Sequence, residues 1–192
     1  KLHILKSLQP FYSSQEFYKQ LLLKEFNIGY QLDHPNIRHT LGWEKNDLLG
    51  NYIVLEYIDG IPLTTFMKLT PVLAYKFITE ICNALQYIHS KQQIHKDLKP
   101  NNILITYNGN NVKLIDFGLA DCDDYEILKI PAGTEKYLAP EQLNPEATLD
   151  CRTDIYSLGI IIEEMSSIVK DRKLASIAQK CTRPTPNERY NN

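Results

Sequence analysis

The stretch from Ile94 to Leu104, IHKDLKPNNIL, sets a lone carboxylate, Asp97, among a histidine, two lysines and two amides, with apolar residues at both ends. Ordering that many polar groups between apolar anchors is costly unless they converge on something charged. A second carboxylate that could share the same partner lies in DFG, Asp116 to Gly118. Between the two stretches, NILIT and NVKLID flank Asn108-Gly109, a strong short-range hairpin signal. Two strands around that turn would bring Asp116, after the second, beside Asn102, before the first. A carboxylate and an amide oxygen meeting in this way suit a hard divalent cation such as magnesium, which also recruits phosphate oxygens. Lys99 would add a fixed positive charge, leaving Asp97 to hold a substrate hydroxyl.

The elements that must position these residues can be read from periodicity and punctuation. KLHILKSL alternates like a strand, and SSQE, Ser13 to Glu16, has the spacing of a capping box opening a helix through about Leu32, which Pro35 stops. NYIVLEYIDG, Asn51 to Gly60, is β-branched and aromatic and reads as a buried strand leaving into a linker. Thr70 and Pro71 mark a helix start, with Ala74, Ile78, Ile81, Leu85 and Ile88 recurring down one face. That helix delivers the chain to Ile94. A further helix from Thr153 to about Ile168 turns Ile155, Leu158, Ile162 and Met165 inward.

The 192 residues, 43% hydrophobic and 23% charged, suffice for a sizeable core and one or two lobes. A formal charge of −2 gives no excess of cations to neutralise nucleic acid or a membrane surface, so neither is an expected partner. There is no long apolar run, signal-peptide pattern, internal repeat or low-complexity segment. The cysteines, Cys82, Cys122, Cys151 and Cys181, are far apart without C-x-x-C spacing and read as reduced thiols of a cytoplasmic protein. The oligomeric state is not legible.

HKDLKPNN, DFG 14 residues after Asn102, GTEKYLAPE at Gly133 to Glu141 and DIYSLG at Asp154 to Gly159, in that order, resemble the eukaryotic-type protein kinase family. Lys99 in DLKPNN resembles the serine/threonine kinases in particular, and the resemblance covers nearly the whole chain. It implies an α+β, two-lobed fold. Residues 1–58 would form a partial β-rich N-lobe with a lysine strand, a helix and a hinge strand, and 59–192 a mainly helical C-lobe with a catalytic loop and an activation segment. The implied reaction is transfer of the ATP γ-phosphate to Ser/Thr hydroxyls of protein substrates, with Mg2+ as the metal.

Residue by residue, the resemblance makes Asp97 the catalytic base, Lys99 the stabiliser of the transferring phosphoryl group, and Asn102 and Asp116 the magnesium ligands. Thr134 would bridge to Asp97 and Lys99 below the substrate hydroxyl. Lys6 in HILK matches the strand lysine that grips the phosphates, and Glu25, 19 residues on, the helix glutamate that pairs with it. Leu55 would be the gatekeeper, the Glu56 carbonyl and Ile58 amide would face adenine, and Leu104 would pack beneath it. Glu141 and Arg189 would form a buried structural ion pair. His95 resembles a packed histidine that braces the loop against Phe117 and Asp154.

Several positions depart from the family pattern. The five residues before Lys6 hold no glycine-rich loop, which either lies on residues ahead of Lys1 or is absent. Ile4 stands where the family prefers alanine and is expected to crowd adenine. Gly29, a poor helix former, replaces a large apolar residue and is expected to leave the Lys6–Glu25 pair transient. QKCTRPTPNERY follows the Thr153 helix so soon that a docking helix of the large lobe is expected to be shortened or lost, and the end at Asn192 leaves no room for the last helix. These departures keep two alternatives to an active kinase: a pseudokinase-like interaction module, and a kinase-like small-molecule phosphotransferase, which the GTEKYLAPE segment disfavours. Lys96 stands where many relatives have arginine, and the segment from Leu119 to Leu138 has no Ser and only Thr134 as threonine. Activity is therefore expected not to require phosphorylation there, with Asp121, Asp123, Asp124 and Glu126 supplying negative charge or simply forming a solvated loop, and Tyr125 the one escape route.

Overall fold

A computed structural model describes residues 2–118 and 135–191. The first strand, β1 (His3–Ser7), lies antiparallel on β3 (Gly50–Glu56), which pairs on its other side with β2 (Thr40–Asn46). A short helix, α1 (Pro10–Ser13), and the longer α2 (Glu16–Tyr30) connect β1 to β2. The expected capping box at Ser13 is not formed. Ser13 closes α1, its Oγ donating to the Pro10 carbonyl at 2.8 Å, and α2 starts after Gln15 without a side-chain cap.

Strand β4 (Gly60–Pro62), β5 (Ile103–Thr106) and β6 (Val112–Leu114) make a second antiparallel sheet. Between β4 and β5 runs α3 (Pro71–Ser90), capped as its sequence predicts, with Thr70 Oγ1 accepting from the Leu73 N–H at 3.3 Å. The turn between β5 and β6 is wider than a two-residue hairpin, because the last paired residues are Ile105 and Val112. Ile37 forms a parallel bridge to Leu114 and so links the loop after α2 to this sheet.

Two helices complete the described fold, α4 (Arg152–Val169) and α5 (Arg172–Cys181), separated only by Lys170 and Asp171. Lys170 takes the left-handed conformation that ends α4, and Asp171 Oδ1 caps α5 by accepting from the N–H groups of Lys173 and Leu174 at 2.8 and 3.1 Å. Their close packing needs Gly159, where a Cβ would lie 2.5 Å from Cys181 Cβ. No helix therefore intervenes at the place where a shortened docking helix was expected.

The main core joins Phe77, Ile81, Leu85 and Ile88 of α3 to Leu158, Ile162 and Met165 of α4, Leu174 of α5, and Ile103, Ile105 and Leu114 of the second sheet. Each such side chain contributes about 1.5–3 kcal/mol on burial. Ile28, Leu32 and Ile37 reach into this core from α2 and the loop after it. A smaller cluster, Leu22, Ile53 and Leu55 with Phe26 and Trp43 against it, holds α2 on the first sheet. No described helix is long and apolar enough to cross a membrane.

Candidate active site

The loop that follows α3 is fastened from below by one fully buried carboxylate. Asp154, near the start of α4, accepts from the backbone N–H groups of His95 and Lys96, both at 2.9 Å, and pairs with His89 Nε2 at 2.8 Å. Lys96 sits in the left-handed region at φ 62°, which reverses the chain just before Asp97. The Gln142 side-chain amide donates to the Lys96 carbonyl at 3.0 Å, adding a second tie from residues 140–143. The His95 ring is buried 5.0 Å from the Phe117 ring, and its Nδ1 accepts from the Asp97 N–H at 3.4 Å.

On this base, three side chains predicted from the sequence come together. Lys99 Nζ lies 2.9 Å from Asp97 Oδ1 and 2.8 Å from Oδ2. Asn102 Nδ2 donates to Asp97 Oδ2 at 2.8 Å and to the Asp97 carbonyl at 2.9 Å. Those bonds occupy the amide nitrogen, so the remaining ligating atom of Asn102 is its Oδ1. The Ile115 N–H donates to the Asn102 carbonyl at 3.0 Å, which sets Asp116 next to Asn102 as the hairpin pattern predicted.

A second group of charges meets this one at Asp116. Lys6 Nζ from β1 contacts Glu25 Oε1 of α2 at 2.6 Å and Asp116 Oδ1 at 3.0 Å. Asp116 is left-handed at φ 68°, and its Oδ1 also accepts from the Gly118 N–H at 3.2 Å. Burial opposes ionisation of Asp116, yet the Lys6 charge, its hydrogen bond and the Gly118 N–H together hold the carboxyl below its ordinary range. For Glu25 burial wins over Lys6, with the like charge of Asp116 adding to it, and the pKa is raised. Burial alone would lower the pKa of Lys6, but the two carboxylates outweigh it and raise the value.

Gly29 was expected to leave the Lys6–Glu25 pair transient; the contact is present in the structure, and the glycine has a packing reason. A Cβ at position 29 would lie 2.3 Å from Thr40 Oγ1, so only glycine lets α2 settle against the start of β2.

Leu55 is buried and stands opposite Ile4 in the β1–β3 register, with Ile4 itself 39% exposed. Ile58 and Leu104 are half-buried, Leu104 between Pro62 and Lys113 in the second sheet. The Glu56 carboxylate turns away from strand pairing to accept from the His39 N–H at 3.1 Å, with His39 Nδ1 and Lys113 Nζ both at 3.2 Å. Against the cost of burial, the His39 N–H and the Lys113 charge lower its pKa. His39 and Lys113 were not singled out from the sequence, and neither was Arg38, whose own pKa is lowered by burial despite Asp116, Glu25 and Glu56 nearby. The residues LDHPNIRH give no local sign of such contacts. Arg189 makes a two-pronged pair with Glu141, Nη1 to Oε1 at 2.6 Å and Nη2 to Oε2 at 2.8 Å. Thr134 and the acidic run Asp121, Asp123, Asp124 and Glu126 lie outside the described residues, as do Cys122 and Tyr125.

This arrangement accords with the relatives of the chain. Residues 4–189 match the model of the protein kinase domain, and the chain belongs to the protein kinase family. It is 34% identical over 147 residues to the serine/threonine-protein kinase ppk25 of Schizosaccharomyces pombe, covering 74% of this chain and 34% of that protein. It is 41% identical over 124 residues to the serine/threonine-protein kinase PknB of Mycolicibacterium smegmatis, covering 59% of this chain and 19% of that one. The chain thus spans about a third or less of the length of these curated relatives. Among solved structures, the PknI kinase domain of Mycobacterium tuberculosis superposes with a TM-score of 0.73 at 24% identity, covering 99% of this chain and 81% of that one. The α+β, two-lobed kinase fold expected from the sequence is the fold of the molecule.

Proposed function

We propose that this chain catalyses transfer of the γ-phosphate of ATP to Ser or Thr hydroxyls of protein substrates. The observation that carries the reading is the joining of two charge clusters, Asp97–Lys99–Asn102 and Lys6–Glu25–Asp116, through the hydrogen bond from Ile115 N–H to the Asn102 carbonyl. Residues 1–58 and 59–192 act as the two lobes, with nucleotide between them.

Asp116 and the Oδ1 of Asn102 are hard oxygen donors that fit Mg2+. Two protein oxygens leave the remaining positions of an octahedral Mg2+ to phosphate oxygens and water. Bound Mg2+ would neutralise charge on the phosphates. Lys6, oriented by Glu25, supplies a cation on the other side, while Leu55, Glu56, Ile58 and Leu104 border the base. Asp97 accepts the proton of the substrate hydroxyl, and Lys99, already at its carboxylate, stabilises the transferring group. Thr134 keeps the role the family resemblance implies, support of the substrate hydroxyl, and lies outside the described residues. The unpaired thiols of Cys82, Cys151 and Cys181 support a cytoplasmic location.

The test is incubation with Mg2+ and γ-labelled ATP over Ser-, Thr- and Tyr-containing peptides, followed by identification of the modified residue. Label on Ser or Thr is expected. Binding of Mg2+-ATP in thermal shift without any transfer would instead support a pseudokinase-like module, and label on Tyr alone would overturn the assigned specificity.

A further inference from the structure

Two carboxylates crowd one ammonium in the candidate site. Asp116 Oδ1 and Glu25 Oε2 lie 3.2 and 3.3 Å from the place a Cβ on Gly118 would take, and among the described residues Lys6 is the cation that touches both side chains. Lys99 is spent on Asp97 and Lys113 on Glu56, so neither offsets the surplus negative charge. A phosphate chain, itself anionic, would be repelled by that surplus.

Arg38 supplies the missing charge. It follows Ile37, which bridges Leu114, and its own N–H donates to the Leu114 carbonyl at 2.9 Å, two residues before Asp116. Two residues further on, Thr40 packs against Gly29, one helical turn past Glu25. Arg38 is thus set between the strand end that leads to Asp116 and the helix that carries Glu25. The residue is half-buried, and among the described residues its guanidinium has no hydrogen bond or ion pair. Burial lowers its pKa against the pull of Asp116, then Glu25 and Glu56, and the guanidinium stays charged at neutral pH. The influence is mutual, since Arg38 acts beside Lys6 against the burial that raises the pKa of Glu25. Arg38 therefore works on the two carboxylates through space, without clamping either.

We propose that Arg38 is the second cation of the nucleotide site: with Lys6 it balances Glu25 and Asp116, so that the chain holds a nucleoside di- or triphosphate without Mg2+ as well as with it. The inference rests on the reading that nucleotide lies between the lobes, and adds metal-free nucleotide to what the site accepts. A charge acting at a distance, unlike a packing contact, affects a ligand in proportion to the ligand's own charge. Metal-free ATP carries roughly twice the negative charge of its Mg2+ complex, and adenosine carries none.

The test is equilibrium binding by titration calorimetry of adenosine, ADP and ATP in EDTA, and of ATP with Mg2+, to wild type, Arg38→Met and Arg38→Lys. Wild type should bind metal-free ATP at least as tightly as adenosine. Arg38→Met should weaken metal-free ATP about tenfold, metal-free ADP about fivefold and Mg2+-ATP about threefold, with adenosine within about twofold. Arg38→Lys, which keeps the charge without the planar fork, should retain most of the affinity for metal-free ATP. Weaker binding of metal-free ATP than of adenosine by wild type, a loss in Arg38→Met that adenosine shares equally, or no loss for metal-free ATP each overturns the inference. None of these readings needs phosphoryl transfer. A wild type that binds but never transfers defeats the kinase reading and leaves the role of Arg38 decided, whereas failure to bind any of the four ligands overturns both.

Discussion

Asp97 and Asp116 are held by opposite means. The loop carrying Asp97 hangs by backbone N–H groups from Asp154, a carboxylate with no solvent exposure, so it cannot shift without exposing or orphaning buried donors. Asp116 depends instead mainly on a side chain, sharing Lys6 with Glu25 beside one bond from the neighbouring Gly118 N–H, and its own side chain is 41% exposed. Such a tether depends on where α2 sits and can be remade at small cost. Under the proposed function, the chemistry at the hydroxyl would thus be built into the core, whereas the grip on the nucleotide would be set by how a helix docks on a small sheet.

Breaking the buried side of this comparison should have the largest effect. Asp154→Ala leaves His89 and two backbone N–H groups without their acceptor and should cost about 3–5 kcal/mol in urea unfolding. A loss below about 1 kcal/mol would show that the loop is not suspended from Asp154.

The tethered side should respond in function more than in stability. Lys6→Met should lower phosphoryl transfer about 100-fold or more, while the unfolding midpoint falls less than in Asp154→Ala, because buried Glu25 loses its cation but can take up a proton. A collapse in stability of the size expected for Asp154→Ala would erase the distinction between the two regions.

The docking of α2 can be tuned separately. Gly29→Ala gains about 1 kcal/mol of helix propensity but must push against a β-branched Thr40 with little rotamer freedom, for a net loss of about 1–2 kcal/mol. Placing the same change in a Thr40→Ala background should turn the loss into a neutral or stabilising effect, read by urea unfolding. Equal losses in both backgrounds would remove the Thr40 contact as the cause.

The smallest effect expected is on acid stability. Asp116 titrates below its ordinary 3.8 in the folded chain, so its contribution is fully present above 3.8 and fades as pH falls through the lower folded value. The difference in unfolding midpoint between wild type and Asp116→Asn should therefore stay level from neutral pH down to about 4 and shrink only below it. Shrinkage that is complete by about pH 5 would contradict a lowered pKa.

Much of this site was legible because its residues fall in short runs. Asp97, Lys99 and Asn102 are within one stretch, and the hairpin signal carried Asp116 to them. The helix faces of α3 and α4 followed from apolar spacing that the core then used. Strand β2 was not foreseen, since TLGWEKN mixes glycine with charge and its pairing with β3 shifts register between Thr40 and Gly42. The Ser13 box failed because α1 claimed that serine first. Contacts such as Lys113 and His39 with Glu56, or Lys136 with Glu164, join residues from separate elements and leave no periodic trace. The packing role of Gly29 was hidden for a related reason: it lies in the space taken by Thr40, which helix propensity does not record.

The central claim is that Asp97 serves the hydroxyl and not the nucleotide. Its most direct test is Asp97→Asn, a nearly isosteric change, assayed for single-turnover phosphoryl transfer and, on the same sample, for Mg2+-ATP affinity. Transfer should fall by about 100-fold or more with affinity within about twofold of wild type. Transfer at the wild-type rate, or a parallel loss of nucleotide affinity, would contradict it.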